Sequence, residues 1–281
     1  MIDFKALEEK VAPHMPQTTP AELAQACQRS LDETLDPDWP IGSPLEALKI
    51  LMMWEAYNDR TFPPLEKLVY ALTHSHHHEH ADLRSMGVER VYRESLTTKH
   101  VSIAWHLAGR YSYDDELVRI MTKEGWPSYR LVDFGAAPWI QTLFFAKKGL
   151  RVTAINQNAE SDVNKFGRFL AAYKGITTVE DFGSEDPAWR TKEFDVVYSV
   201  DVFEHIPPLP DGTPGWIPFA EDLLKTLVSG GIFNVNSPLD YDPGVPKEVA
   251  YHNVHFTSPI SVDQWCESKG MIRDGYIWRK K

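Results

Sequence analysis

Apolar positions recur at helical spacing but irregularly over residues 5–125, and from residue 129 they gather into short runs separated by amphipathic stretches. LEALKILMMWEAY (45–57) carries apolar side chains on several faces, the pattern of a well-buried helix, and Pro44 just before it suits a helix start. Residues 65–72, 102–109 and 114–122 predict further helices, with Pro37, Pro40, Pro63 and Pro64 punctuating the intervals. The second half reads differently. Five β-type runs, RLVDF (130–134), RVTAI (151–155), ITTVEDF (176–182), FDVVYSV (194–200) and GIFNVN (231–236), alternate with the helical stretches IQTLFFAKK (140–148), SDVNKFGRFLAAYK (161–174) and FAEDLLKTLV (219–228). Strands alternating with helices imply right-handed crossovers. The expected fold class is therefore α/β: a Rossmann-like, mostly parallel sheet with helices on both faces, over residues 126–281. Residues 1–125 form an N-terminal helical cap.

Composition adds constraints. A chain of 281 residues with 43% hydrophobic and 12% aromatic residues has ample core material for a large folded domain with an appendage. Lys and Arg number 29 against 40 Asp and Glu, a formal net charge of -11, with no compensating basic run. That balance repels phosphate backbones and anionic lipid, so neither nucleic acid nor a membrane is an expected partner. The two cysteines, Cys27 and Cys266, stand far apart and in no metal-like spacing. Together with an opening, MIDFKALEEKVAPHMP, that lacks the pattern of a secretory signal, they lead us to expect a cytoplasmic protein.

In open parallel sheets ligands bind beyond the carboxyl ends of the strands. The first predicted strand ends Asp133-Phe134-Gly135, the second leads into Asn156-Gln157, the third ends Asp181-Phe182 and the fourth runs Ser199-Val200-Asp201. After the first, LVDFGAAPWIQT (131–142) holds one glycine, enough for a sharp turn that aims backbone N–H groups and a helix N-terminus at whatever lies above. FDVVYSVDVFEHIP (194–207), followed by LLKTLVSGGIFNVNSP (223–238), resembles the class I S-adenosylmethionine-dependent methyltransferases. The Ser229-Gly230-Gly231 turn before the fifth strand and HNVHFTSPISVDQWCESKGM (252–271) resemble the corresponding family segments, and the similarity runs from about residue 129 onward.

The resemblance implies S-adenosyl-L-methionine as cofactor and assigns places to the strand ends. Asp133, Phe134 and Gly135, with Ala136 and Ala137, line its methionine and ribose part. Asn156 or Gln157 stands where the family has an acidic ribose partner. Asp181 receives the adenine amino group, with Phe182 as the apolar wall, and Ser199, Val200 and Asp201 pass under the methionine. Ala137 and Trp139 replace family glycines, and Pro138 removes an N–H donor. A sulfonium brings no phosphate, so this worn loop argues against NAD more than against S-adenosylmethionine. The closing hairpin of the family must be short or incomplete, because few residues follow Met271.

Glu204 and His205, just after the fourth strand, are the expected acid–base candidates near the transferred methyl. The N-terminal half supplies the lid and acceptor pocket, with Tyr111 as a cofactor contact and Tyr113 as a catalytic candidate. Arg110 can pair with a carboxylate, and His252 and His255 belong to the acceptor side. HSHHHEH (74–80) reads as a solvated or partly packed helix end rather than a metal site, so no metal is expected. The leading expectation is a methyltransferase acting on a small molecule. The alternatives are another reaction of the same cofactor, either aminocarboxypropyl transfer or cyclisation releasing methylthioadenosine, and a non-catalytic protein that retains the fold.

Overall fold

The computed structural model describes residues 2–15, 17, 40–62, 114–125, 128–136, 138–237 and 258–281. Outside the described residues lie Cys27, the helices expected at 65–72 and 102–109, the histidines from His74 to His80, Arg110, Tyr111, Tyr113, Ala137, His252 and His255. In chain order the described elements begin with α1 (Phe4–Val11), α2 (Pro44–Tyr57) and α3 (Asp114–Glu124). Next come β1 (Arg130–Phe134), α4 (Ile140–Lys147), β2 (Arg151–Asn156), α5 (Asp162–Tyr173), β3 (Val179–Gly183) and β4 (Phe194–Val200). The last are α6 (Trp216–Thr226), β5 (Leu227–Asn236), α7 (Val262–Ser268), β6 (Ile272–Asp274) and β7 (Ile277–Arg279). They fall into two compact units, one from Met1–Tyr111 with Asp162–Thr177, the other from Ser112–Ser161 with Thr178–Lys281.

In the first unit, α1 starts at Asp3, whose carboxylate accepts from the Ala6 N–H, and α2 at Ser43, whose hydroxyl accepts from the Glu46 N–H. Ala47, Leu48, Ile50, Leu51, Met53 and Trp54 are all buried on α2, matching its all-round apolar pattern. Helix α5, the crossover from β2 to β3, belongs to this unit through aromatic contacts. Phe4 and Trp54 both pack edge-on against Phe169. Lys49 pairs with Glu8 at 2.7 Å, and the Tyr173 hydroxyl donates to the same carboxylate.

The second unit is built on a seven-stranded sheet in the order β3-β2-β1-β4-β5-β7-β6. The first five strands are parallel, and β7 runs antiparallel to both of its neighbours. Alternation along the strands sorts the side chains onto two faces. Val132, Phe134, Val197 and Phe233 join Trp216, Leu223, Val262 and Trp265 of α6 and α7 in one apolar core. On the other face, Phe145 of α4 packs edge-on against Tyr198 of β4. The closing hairpin is complete and short, three residues in each strand.

Three boundaries differ from the sequence pattern. Strand β3 starts at Val179, leaving Ile176 to Thr178 outside, and α6 starts at Trp216, not at residue 219. Strand β5 begins already at Leu227, so Ser229-Gly230-Gly231 lies within the strand and is not a turn before it. The reason is a bulge: Phe194 pairs with Leu227 and Val196 with Ile232, which absorbs the extra β5 residues.

Strand β1 ends in a turn that only glycine can make. Gly135 has φ +83, and an added Cβ would lie 2.2 Å from Val202 Cγ2. Gly230 also has positive φ, +77, but open space where a Cβ would go. Alanine at Gly230 is expected to cost about 1 kcal/mol for the left-handed backbone alone. At Gly135 overpacking against Val202 adds to that, for about 3 kcal/mol in all. Urea unfolding of the two variants checks the difference, and equal losses would refute the packing account.

Candidate functional site

Strand β1 is the point where the chain changes direction across the sheet: β2 pairs on one side of it and β4 on the other. The loops leaving β1 and β4 therefore flank the switch-point crevice. Two of the three described non-glycine residues with positive φ lie in these loops, Trp139 at +73 and Asp201 at +52. Backbone strain gathers where the surrounding structure over-determines it. At Trp139 the left-handed conformation costs about 1–2 kcal/mol. The indole is 2% exposed, and burial of a side chain that size contributes about 3–5 kcal/mol, so packing outweighs the strain. Trp139 caps α4 in this conformation, its carbonyl accepting from the Leu143 N–H.

Most of the β1 residues named from sequence are held from within. Asp133 is buried and accepts from the Thr142 hydroxyl of α4. Phe134 is also buried, its ring against Phe203 and Phe219, so it offers a ligand only its backbone. The N–H groups of Gly135 and Ala136 both donate to the Ile155 carbonyl, which leaves neither for a phosphate. Ser199 is fully buried, and its hydroxyl donates to the Phe134 carbonyl at 2.9 Å, stitching the ends of β1 and β4 together. Val200 is half-buried at the end of β4, and exposed Asp201 follows it, with its N–H donating to the Asn236 carbonyl of β5.

At the β2 and β3 ends, Asn156 is half-buried and Gln157 exposed, and the Asn156 carbonyl accepts from the Ser184 N–H. Asp181 and Phe182 are half-buried neighbours on β3, whose side chains alternate between the faces. The Phe182 ring packs on the apolar core, with the Lys192 ammonium 5.3 Å from its centroid.

Glu204 stands apart. It lies with Phe203 and His205 in a 3-10 turn after β4, is 1% exposed, and has no hydrogen-bond partner at Oε2. Burial, with Asp201 adding like charge, pushes its carboxyl from the ordinary 4.5 up to about 7. The half-buried His205 completes the turn, its N–H donating to the Val202 carbonyl. Ser237, at the end of β5, was not singled out by sequence reasoning. Its hydroxyl oxygen accepts from the N–H groups of Val202 at 3.4 Å and Phe203 at 3.1 Å. A hydroxyl directly after the fifth strand was the available signal.

The donor set suits a cation. The described residues of the β1 and β4 loops, 133–139 and 199–206, contain Asp133, Asp201 and Glu204 but no Lys or Arg. An anionic pyrophosphate would meet like charge there and no outward N–H from Gly135 or Ala136, whereas a sulfonium compound meets charge of opposite sign. No group of His, Cys, Asp and Glu able to hold a metal occurs among the described residues. None of the described helices is long and apolar enough to cross a membrane.

No family model matches the chain, and no curated protein matches it. Solved structures do. TehB from Haemophilus influenzae is 12% identical over 65% of this chain and 66% of its own, with a TM-score of 0.45. Phosphoethanolamine N-methyltransferase 2 of Haemonchus contortus, in complex with S-adenosyl-L-methionine, is 17% identical over 57% of this chain and 37% of its own, TM-score 0.40. The [4+2]-cyclase SpnF is 16% identical over 43% of each chain, TM-score 0.35. This chain thus spans less than half the length of two of the three. By its own strand order, five parallel strands closed by an antiparallel hairpin, the second unit is a Rossmann-like, mostly parallel α/β sheet.

The buried carboxyl gives stability a pH dependence. Between about pH 4.5 and 7 the unfolded chain has released the Glu204 proton and the folded chain retains it. Wild-type stability should fall across that window by roughly 1.4 kcal/mol per pH unit, about 3 kcal/mol in all, and level off above it. Glu204→Gln lacks this slope. Urea unfolding of both proteins at several pH values between 5 and 8 measures it, and parallel curves would remove the assignment.

Proposed function

We propose that this chain is an S-adenosylmethionine-dependent methyltransferase acting on a small molecule. The observation that carries the reading is the β1–β4 switch point, where the described residues of the two loops include Asp133, Asp201 and Glu204 but no Lys or Arg, and one buried carboxyl oxygen, Glu204 Oε2, is unpartnered. Asp181 would receive the adenine amino group beside Phe182, and Asn156 or Gln157 would meet the ribose. Gly135, Ala136 and Ala137 with the backbone of Asp133 and Phe134, and the Ser199-Val200-Asp201 segment, would follow the methionine. When bound, S-adenosylmethionine supplies an electrophilic methyl on a cationic sulfur.

The chain's own contribution is positioning and charge. Ser199 and Gly135 hold the ends of β1 and β4 in register, so the two loops form one rigid rim. Glu204 and His205 follow that rim as acid–base groups. The negative net charge, -11, favours a small acceptor over nucleic acid or a membrane surface. A cytoplasmic setting accords with the buried, unpaired thiol of Cys266.

Calorimetric titration with S-adenosylmethionine tests the reading. Saturable binding is expected, and Asp181→Ala should weaken it roughly 10- to 100-fold through loss of one charge-assisted hydrogen bond. Unchanged affinity in that variant removes the adenine assignment. Product analysis after prolonged incubation without an acceptor should return intact cofactor. Methylthioadenosine instead would indicate cyclisation or another cleavage of the cofactor, and no binding would leave a non-catalytic protein.

A further inference from the structure

Helix α5 is attached in two ways. As the crossover from β2 to β3 it is joined covalently to both strands, and the chain leaves the second unit at Ser161 and returns to it at Thr178. By its packing it belongs with α1 and α2. Phe166, Phe169 and Tyr173, at helical spacing, form one stripe along it. Trp54 lies edge-on to Phe166 and Phe169 at 5.6 and 5.4 Å, and Tyr57 is 5.4 Å from Phe169. Phe4 of α1 is 5.3 Å from both Phe169 and Tyr173. Ion pairs flank the stripe: Arg60 with Asp162 at 3.4 Å, Lys174 with Glu46, and Lys49 with Glu8. The Glu8 carboxylate also accepts from the Tyr173 hydroxyl at 3.2 Å. These contacts run from the first residue of α5 to the one after its last, so the helix is held along its whole length.

The connections on either side of α5 leave it little slack. Within residues 157–161 the Ser161 N–H donates to the Asn158 carbonyl and the Glu160 N–H to the Asn158 side chain. After α5, Gly175 takes φ +67, its N–H donates to the Ala172 carbonyl and that of Ile176 to the Ala171 carbonyl. The Thr178 carbonyl then accepts from the Val152 N–H of β2. Displacing α5 therefore strains the residues on both sides of it: Asn156 and Gln157 stand before it, and the chain after it leads into Asp181 and Phe182. Helix α1, eight residues long, is too short to be stable alone, so it is helical only while docked. We propose that α1 and α2 act as a conformational control on the β2–β3 edge: docked, they fix α5 and with it the ends of both strands, and undocked they release them. Building on the methyltransferase reading, this control ties the docking of α1 to the adenine and ribose part of the ligand, although α1 carries none of the residues assigned to it. Coupling of this kind is reciprocal, so the ligand in turn holds α1 in place.

Hydrogen exchange of the full chain, read by mass spectrometry, tests the control in two arms. In the first, Phe4→Ala, at a half-buried position of α1, should speed exchange over α1 and, about fivefold, over α5 and residues 157–161. Tyr173→Phe keeps the ring and removes only the bond to Glu8. It should act in the same direction to a smaller extent, and it decides the arm if Phe4→Ala does not fold. Faster exchange over α1 with α5 and residues 157–161 unchanged overturns the proposal. In the second arm, S-adenosylhomocysteine should slow exchange over α1 in the wild type and bind Phe4→Ala about fivefold more weakly. A ligand that binds both proteins equally and leaves exchange over α1 unchanged overturns its tie to the ligand. If the wild type binds no S-adenosylhomocysteine, the methyltransferase reading itself fails, and the first arm alone decides the control.

Discussion

Val202 and Gly135 occupy one space. The valine side chain fills the position where any other residue at 135 would carry its Cβ, and that contact joins the end of β1 to the loop after β4. Ser199 ties the same two strands one layer below, through the Phe134 carbonyl. Asp201 and Ser237 extend the link to β5, by way of the Asn236 carbonyl and the N–H groups of Val202 and Phe203. Three neighbouring strand ends are therefore tied together, and the strained Asp201 is one of the residues that makes the tie.

This coupling explains how a carboxyl can stay buried. Releasing Oε2 of Glu204 to solvent would require the turn after β4 to move, and that turn is fastened to β5 by the Ser237 hydroxyl, which accepts from both Val202 and Phe203. An unpaired buried polar atom costs roughly 1–3 kcal/mol. The fold tolerates that loss because Phe203, directly before Glu204, is fully buried and stacks on Trp216 of the apolar core.

Much of the sheet could be read from the chain. RLVDF and FDVVYSV match β1 and β4 residue for residue, because a strand covered on both faces is apolar along its length. The hairpin was expected to be short or incomplete, and it is short. Local pattern failed where tertiary pairing decides: β5 recruits Leu227 and Val228 from the preceding helical pattern, because Leu227 pairs with Phe194 ahead of the bulge. Within the site, the candidates at strand ends were visible as polar residues following apolar runs. Their roles were not, since Ser199 and Asp133 turn inward to hydrogen-bond a strand carbonyl and Thr142, and Val202 packs into space left by a glycine 67 positions earlier. Such long-range contacts leave no periodic trace in the sequence.

The central claim is that the crevice over β1 and β4 is a binding site for an S-adenosyl compound. A crystal structure grown with S-adenosylhomocysteine tests it most directly. The account predicts the ligand beyond the carboxyl ends of these strands, its adenine at Asp181 and its sulfur beside the turn that carries Glu204. A ligand bound elsewhere, or an adenine with no contact to the β3 end, would contradict it.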